Sequence, residues 1–253
     1  MKFNKLDFQN LYFHLFVIIL CFKFQIITML QTQTLQFFRE LRENNNRDWF
    51  EANRKRYLSA KSDLEQLIAA VIGELSHHDP SIAMQTPKEC MFRINRDVRF
   101  AKDKSPYKTN LSFSINSGGK KSQTASYYVH LQPDNQSFIG GGLYMSMPPV
   151  LKKIRTEIAY APDEFMAIVE HPDFVKTFGT CEMPGQKNVK VPNGFDPENK
   201  AAEYIKLKSF VGTHSVTDEQ VTSPGFAHLI CETLSKLTPM IKFLDRGFIE
   251  DEQ

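Results

Sequence analysis

The spacing of apolar residues changes twice along this chain, and that change limits its fold more than any other feature. Before residue 80, Tyr57, Leu64, Leu67, Ile68, Val71 and Leu75 recur at intervals of three, four or seven. Such spacing places them on one face of an α-helix. In the middle the period falls to two. Cys90, Phe92 and Ile94 alternate with Met91, Arg93 and Asn95, then Leu111, Phe113 and Ile115 with Ser112, Ser114 and Asn116. Tyr127, Val129 and Leu131 alternate in the same way with Tyr128, His130 and Gln132. Alternation of this kind describes strands with one face on a core and one toward solvent, which is usual in antiparallel sheets. Beyond Pro148-Pro149 the helical spacing returns with Leu151, Ile154 and Ile158. The expected class is therefore α+β, an antiparallel sheet in the middle of the chain flanked by N-terminal and C-terminal helices.

Local signals refine this outline. Leu35, Phe38 and Leu41 form a first helical face that Asn44-Asn45-Asn46 ends, and Asn46 or Asp48 can cap the next helix. That next stretch, from Phe50 to Leu75, reads as one long helix or two joined ones, stopping near Pro80. Residues 138–145 read as a strand interrupted by Gly140-Gly141-Gly142, a bulge or tight bend rather than a phosphate loop. Pro162 suits the first turn of a helix, and Ile205, Leu207 and Val211 suggest one more strand. Ser223-Pro224 is expected to open a last helix kinked at Pro239.

No repeat or long linker divides residues 29–253, so they are expected to form a single domain. Residues 1–28 do not match it. They carry the apolar run LYFHLFVIILCF, closed by Lys23 without a small-residue cleavage site. This segment is read as an extraneous extension, with Met29 as the start, and the alternative is a membrane anchor. The four cysteines contain no C-x-x-C pair, and the chain has no H-E-x-x-H, G-x-S-x-G, Walker or dinucleotide fingerprint. These absences leave metal ligands and cofactors unassigned. Sparse cysteines favour a reducing, cytoplasmic setting over a secreted disulfide framework, with no membrane partner unless residues 1–28 supply one.

Net charge is only +2, so any anionic partner must be met by a local patch. Residues 93–108 provide it, with six basic and two acidic side chains in sixteen positions. Arg93, Arg96, Arg99, Lys104, Tyr107 and Lys108 are the candidate ligand-binding residues. Asp97 and Asp103 could orient the cations through charge-assisted hydrogen bonds. If the protein is an enzyme, which the residues leave undecided, Asp97, Asp103 or His130 would be its acid or base. Trp49, beside Asn and Arg residues, reads as a core anchor at a helix start.

NNNRDWFEANRKRY, FRINRDVRFAKDKSPYKTN, YYVHLQP and GGGLYM resemble a widespread family of bacteria and fungi catalogued as domain of unknown function 2461. The resemblance spans about residues 35–244, and its F-R-x-x-R-D-x-R-F-x-x-D-K-x-P-Y-K signature is long and specific. It implies that residues 1–28 lie outside the shared domain, and it brings no reaction, cofactor or catalytic residue. Two functional readings stand at this point. In the first, the basic segment holds a phosphorylated or otherwise anionic ligand, a nucleotide or nucleic acid, with phosphoryl or phosphodiester chemistry as the natural class of any reaction. In the second, the segment is an internal ion-pair network of a non-enzymatic structural or interaction protein.

Overall fold

The computed structural model describes residues 29–119 and 122–249, so the readings of residues 1–28 lie outside what it describes. Helix α1 (Thr32–Glu43) buries Leu35, Phe38 and Leu41. Asn46 caps α2 (Arg47–Ala52), its side chain accepting from the Trp49 amide. After Asn53 the chain continues as α3 (Arg54–Leu75). A short helix α4 (Pro87–Cys90) leads into the middle of the chain.

Four strands follow: β1 (Leu111–Ile115), β2 (Ser126–Leu131), β3 (Ser137–Leu143) and, after an intervening helical stretch, β4 (Phe210–Val216). They lie side by side in sequence order, every pair antiparallel. Asp134 and Asn135, both at positive φ, turn β2 into β3, the geometry that suits a hairpin's right-handed twist. Arg39 and Arg42 of α1 grip the Asp134 carboxylate, while Asp218 accepts from the Asp134 and Asn135 amides. This hairpin tip is thereby tied to the helical layer.

Between β3 and β4 run α5 (Pro148–Tyr160), α6 (Pro162–Val169), α7 (Pro172–Phe178) and α8 (Ala202–Ile205). After β4 come α9 (Asp218–Val221), α10 (Phe226–Ser235) and α11 (Thr238–Ile249). The helices bury one face of the sheet. Phe113, Ile115, Tyr127, Val129, Ile139 and Phe210 point into that core. Two glycines let the layers approach: a Cβ on Gly141 or Gly212 would meet Leu237, and at Gly212 also Phe178.

Three local expectations are corrected. Cys90 ends a helix, and residues 91–95 meet the 107–113 stretch only through isolated bridges, Met91 to Phe113 and Asn95 to Tyr107. Met91 is buried there while Phe92 is exposed, because Met91 lies opposite the core-facing Phe113 and shares its face. Ile205 lies in a helix, and the fourth strand starts only at Phe210. The last helix begins at Phe226 and, instead of kinking, divides into two helices ahead of Pro239. Residues 140–142, by contrast, are paired on both sides within β3, and their irregularity is confined to Gly142 at φ +122°.

Among the described residues no helix is long and apolar enough to cross a membrane. Cys90, Cys181 and Cys231 are buried.

Candidate functional site on the open face of the sheet

Strand register assigns the other face of the sheet. Ser112, His130, Phe138 and Ser215 form one row across β1 to β4, and Ser114, Tyr128, Gly140 and Thr213 form the next. Ser126, Gly142 and Val211 make the third, with Asn116 just past the end of β1. Glycine at two positions of β3 leaves a low floor in the centre. Over it lies a cleft of about 440 Å³ walled by Phe92, Tyr128, Phe138, Tyr144, Met183 and Val211. Phe92 reaches it from the β1 edge and Met183 from the segment bridged to β4 at Glu182. Both size and apolar lining match small-molecule sites, about 300–1,000 Å³.

Aromatic and polar groups meet at the first row. His130 stacks on Phe138 with ring centroids 4.9 Å apart. Its Nδ1 is 3.3 Å from the Tyr128 hydroxyl and its Nε2 is 3.0 Å from Gln132 Oε1. Burial, together with the nearby Lys108 charge, lowers the pKa of His130. Its imidazole is therefore neutral at neutral pH.

The basic segment reaches this row through Lys108. Its ammonium lies 5.4 Å from the centre of the Phe92 ring, a cation–π arrangement. Half-burial and then the Arg93 charge lower the Lys108 pKa. Neither Arg93 nor Lys108 forms an ion pair among the described residues.

The other candidates are engaged within the loop. Arg96 pairs with Asp103 at 2.5 Å and donates to the Ser105 carbonyl. Arg99 pairs with Asp97 at 2.7 Å, and Lys104 donates to the Val98 carbonyl. Hydrogen bonds from Ser105, with Arg96, hold the Asp103 carboxyl far below the usual range, and Arg99 lowers that of Asp97. Carboxylates stabilised in this way are weak proton acceptors near neutral pH.

Tyr107 occupies a different environment. Its ring is buried and stacked on Phe50 at 4.0 Å, and Asn45 clamps its backbone by accepting from its amide and donating to its carbonyl. Trp49 packs on Phe37 in the same aromatic cluster. Among the described residues no group of His, Cys, Asp and Glu is placed to hold a metal ion.

The pairing of Tyr128 and His130 beside the basic segment could be read from their shared strand face. Phe92, Tyr144, Met183 and Val211 could not, because they come from four separate segments and meet only in space. Nor could Asn116, which is buried like Ser112 but has an Oδ1 without a hydrogen-bond partner among the described residues.

Neither the curated proteins nor the solved structures contain a match to this chain. The family model for the conserved hypothetical protein, domain of unknown function 2461, matches residues 33–243. That span takes in α1 from its second residue, every helix from α2 to α10, all four strands and the whole cleft, and the chain belongs to this family.

Proposed function

We propose that the open sheet face binds a small anion with an aromatic or apolar body, such as an aryl phosphate or a nucleotide, with Lys108 and Arg93 as its counter-charges. The observation that carries this reading is the position of the Lys108 ammonium, half-buried on Phe92 at the margin of an apolar cleft with no carboxylate paired to it. A cation kept partly dry without a protein partner gains most from an incoming anion. His130, neutral and with both ring nitrogens engaged by Tyr128 and Gln132, supports the Phe138 ring that walls the cleft. Arg96 and Arg99, paired with aspartates, shape the loop that carries Lys108. The reading is one of binding, since Asp97 and Asp103 are poor bases as they stand.

Phenyl phosphate is the direct probe, titrated calorimetrically into the full chain. Saturable binding is expected, weakened about tenfold or more in Lys108→Met, the loss of one charge-assisted hydrogen bond. Arg96→Ala should bind within about twofold of wild type and lose at most about 1 kcal/mol of stability, because its ion pair is exposed. Binding that survives Lys108→Met but disappears with Arg96→Ala would move the anion to the loop and overturn the assignment.

A second reading rests on Phe100, which is 94% exposed at the tip of the loop with Arg99 against its ring. Such a tip could stack a base of single-stranded nucleic acid. Affinity for an oligonucleotide falling steeply with salt, and lost in Phe100→Ala, would favour it over the cleft.

A further inference from the structure

The cleft does not end at Gly142. Beyond it lies a second recess of about 280 Å³ that shares Ser114, Ser126, Gly142 and Tyr144 with the first. Its chemistry is different. Hydroxyls of Ser114, Ser122, Thr124, Ser126 and Ser146 line it, and none of its lining residues among the described residues is charged. Asn116 also lines it, only 6% exposed, and its Oδ1 has no hydrogen-bond partner. A buried amide oxygen left unpaired is costly, so a ligand that donates to it recovers part of that cost.

We infer that this recess is a sugar subsite of the same cleft, and that the ligand is a glycosylated aromatic or apolar acid: anion at Lys108 and Arg93, apolar body over Gly140, hydroxyl-rich ring at Asn116. The inference rests on the cleft reading above. Its geometry comes from β1, whose open-face residues Ser112, Ser114 and Asn116 run from the Phe92 end to the recess. Four residues of strand span about 13 Å, the scale of one aromatic ring with a sugar at one end and an acid group at the other. Seryl and threonyl hydroxyls both donate and accept, as do those of a sugar, so their match does not depend on a single orientation.

The test compares two probes that differ only in the sugar, phenyl phosphate and 4-(β-D-glucosyloxy)phenyl phosphate, titrated into the full chain. Wild type should bind the glucoside about tenfold more tightly, the worth of a few hydrogen bonds in a desolvated recess. Asn116→Leu should remove most of that advantage while leaving phenyl phosphate affinity unchanged. Should Asn116→Leu fail to fold, Ser146→Ala, which lines the recess and not the first cleft, serves instead, with a partial loss confined to the glucoside. Equal affinity of both probes for wild type, each lost in Lys108→Met, would overturn the sugar subsite and leave the cleft reading intact. Binding of neither probe would overturn both.

Discussion

Gly142→Ala should destabilise the protein by about 3 kcal/mol or more, enough to leave it unfolded or aggregating where wild type is intact. Gly142 sits at φ +122°, a conformation open to glycine and strongly disfavoured for residues with a Cβ. A Cβ built there would lie 2.0 Å from the Phe210 carbonyl oxygen and 3.0 Å from Met240 Cε. The first contact is with backbone in the neighbouring strand, so relief requires moving β4 rather than rotating a side chain. Gly142 also pairs with Ser126 and Val211, and the strain would spread into the rows that floor the cleft.

Gly73 provides the contrast. It is exposed inside α3, and a Cβ there meets nothing within 4 Å. Gly73→Ala should therefore raise stability by about 0.5–1 kcal/mol, through helix propensity and a less flexible unfolded chain. Chemical denaturation of the two variants beside wild type checks both signs. A Gly142→Ala protein as stable as wild type would contradict the strand geometry described.

The second large effect concerns Asp245 on α11. Its carboxylate accepts a hydrogen bond from the Ala125 amide at 2.8 Å, at the start of β2. Burial raises its pKa to about 6, and the charge of Asp79 adds to the rise against the Ala125 hydrogen bond. Asp79 is itself buried, bonded to the Tyr127 hydroxyl, which also meets Thr238. A carboxyl whose folded pKa is raised binds its proton more tightly in the folded state than in the unfolded one. The stability this contributes is full below about pH 4, the unfolded value, and is lost as pH rises through about 6.

Asp245→Asn keeps an acceptor for Ala125 and removes the charge. The variant should match wild type near pH 4 and exceed it at pH 7, by at most about 3 kcal/mol for a shift of this size. Urea unfolding of both proteins across pH 4–7 measures the difference. A gap that stays constant across that range would show that Asp245 does not titrate as described.

How much of this could be read beforehand depended on regularity. β1 and β2 were legible because their apolar residues keep a strict period of two and all face one core. The 90–94 segment carried the same pattern and did not become a strand. Met91 and Ile94 both turn inward three residues apart, so the alternation lapses between the isolated bridges at Met91 and Asn95. β4 was displaced in the reading because Gly212, Thr213 and His214 weaken its apolar signal, while Ile205 and Leu207 imitate one just upstream. The helical ends were clearer, since Asn46 and Pro162 act through the local backbone alone.

The same logic explains the site. A run of charge is conspicuous in a sequence, so residues 93–108 drew notice whatever their partners. Which of those charges is spent on an aspartate depends on loop geometry that spacing does not encode. Arg96 and Arg99 find carboxylates seven and two residues away, and Lys108 pairs with none among the described residues. The cleft was invisible in the sequence because its walls are isolated aromatic and aliphatic residues from distant segments, each unremarked alone.

The most direct measurement is a crystal structure of the full chain with phenyl phosphate bound. The account predicts the ring over Gly140 between Tyr128 and Val211, with a phosphate oxygen about 3 Å from Lys108 Nζ. A phosphate held instead by Arg96 and Arg99 at the loop, with the sheet face empty, would contradict it.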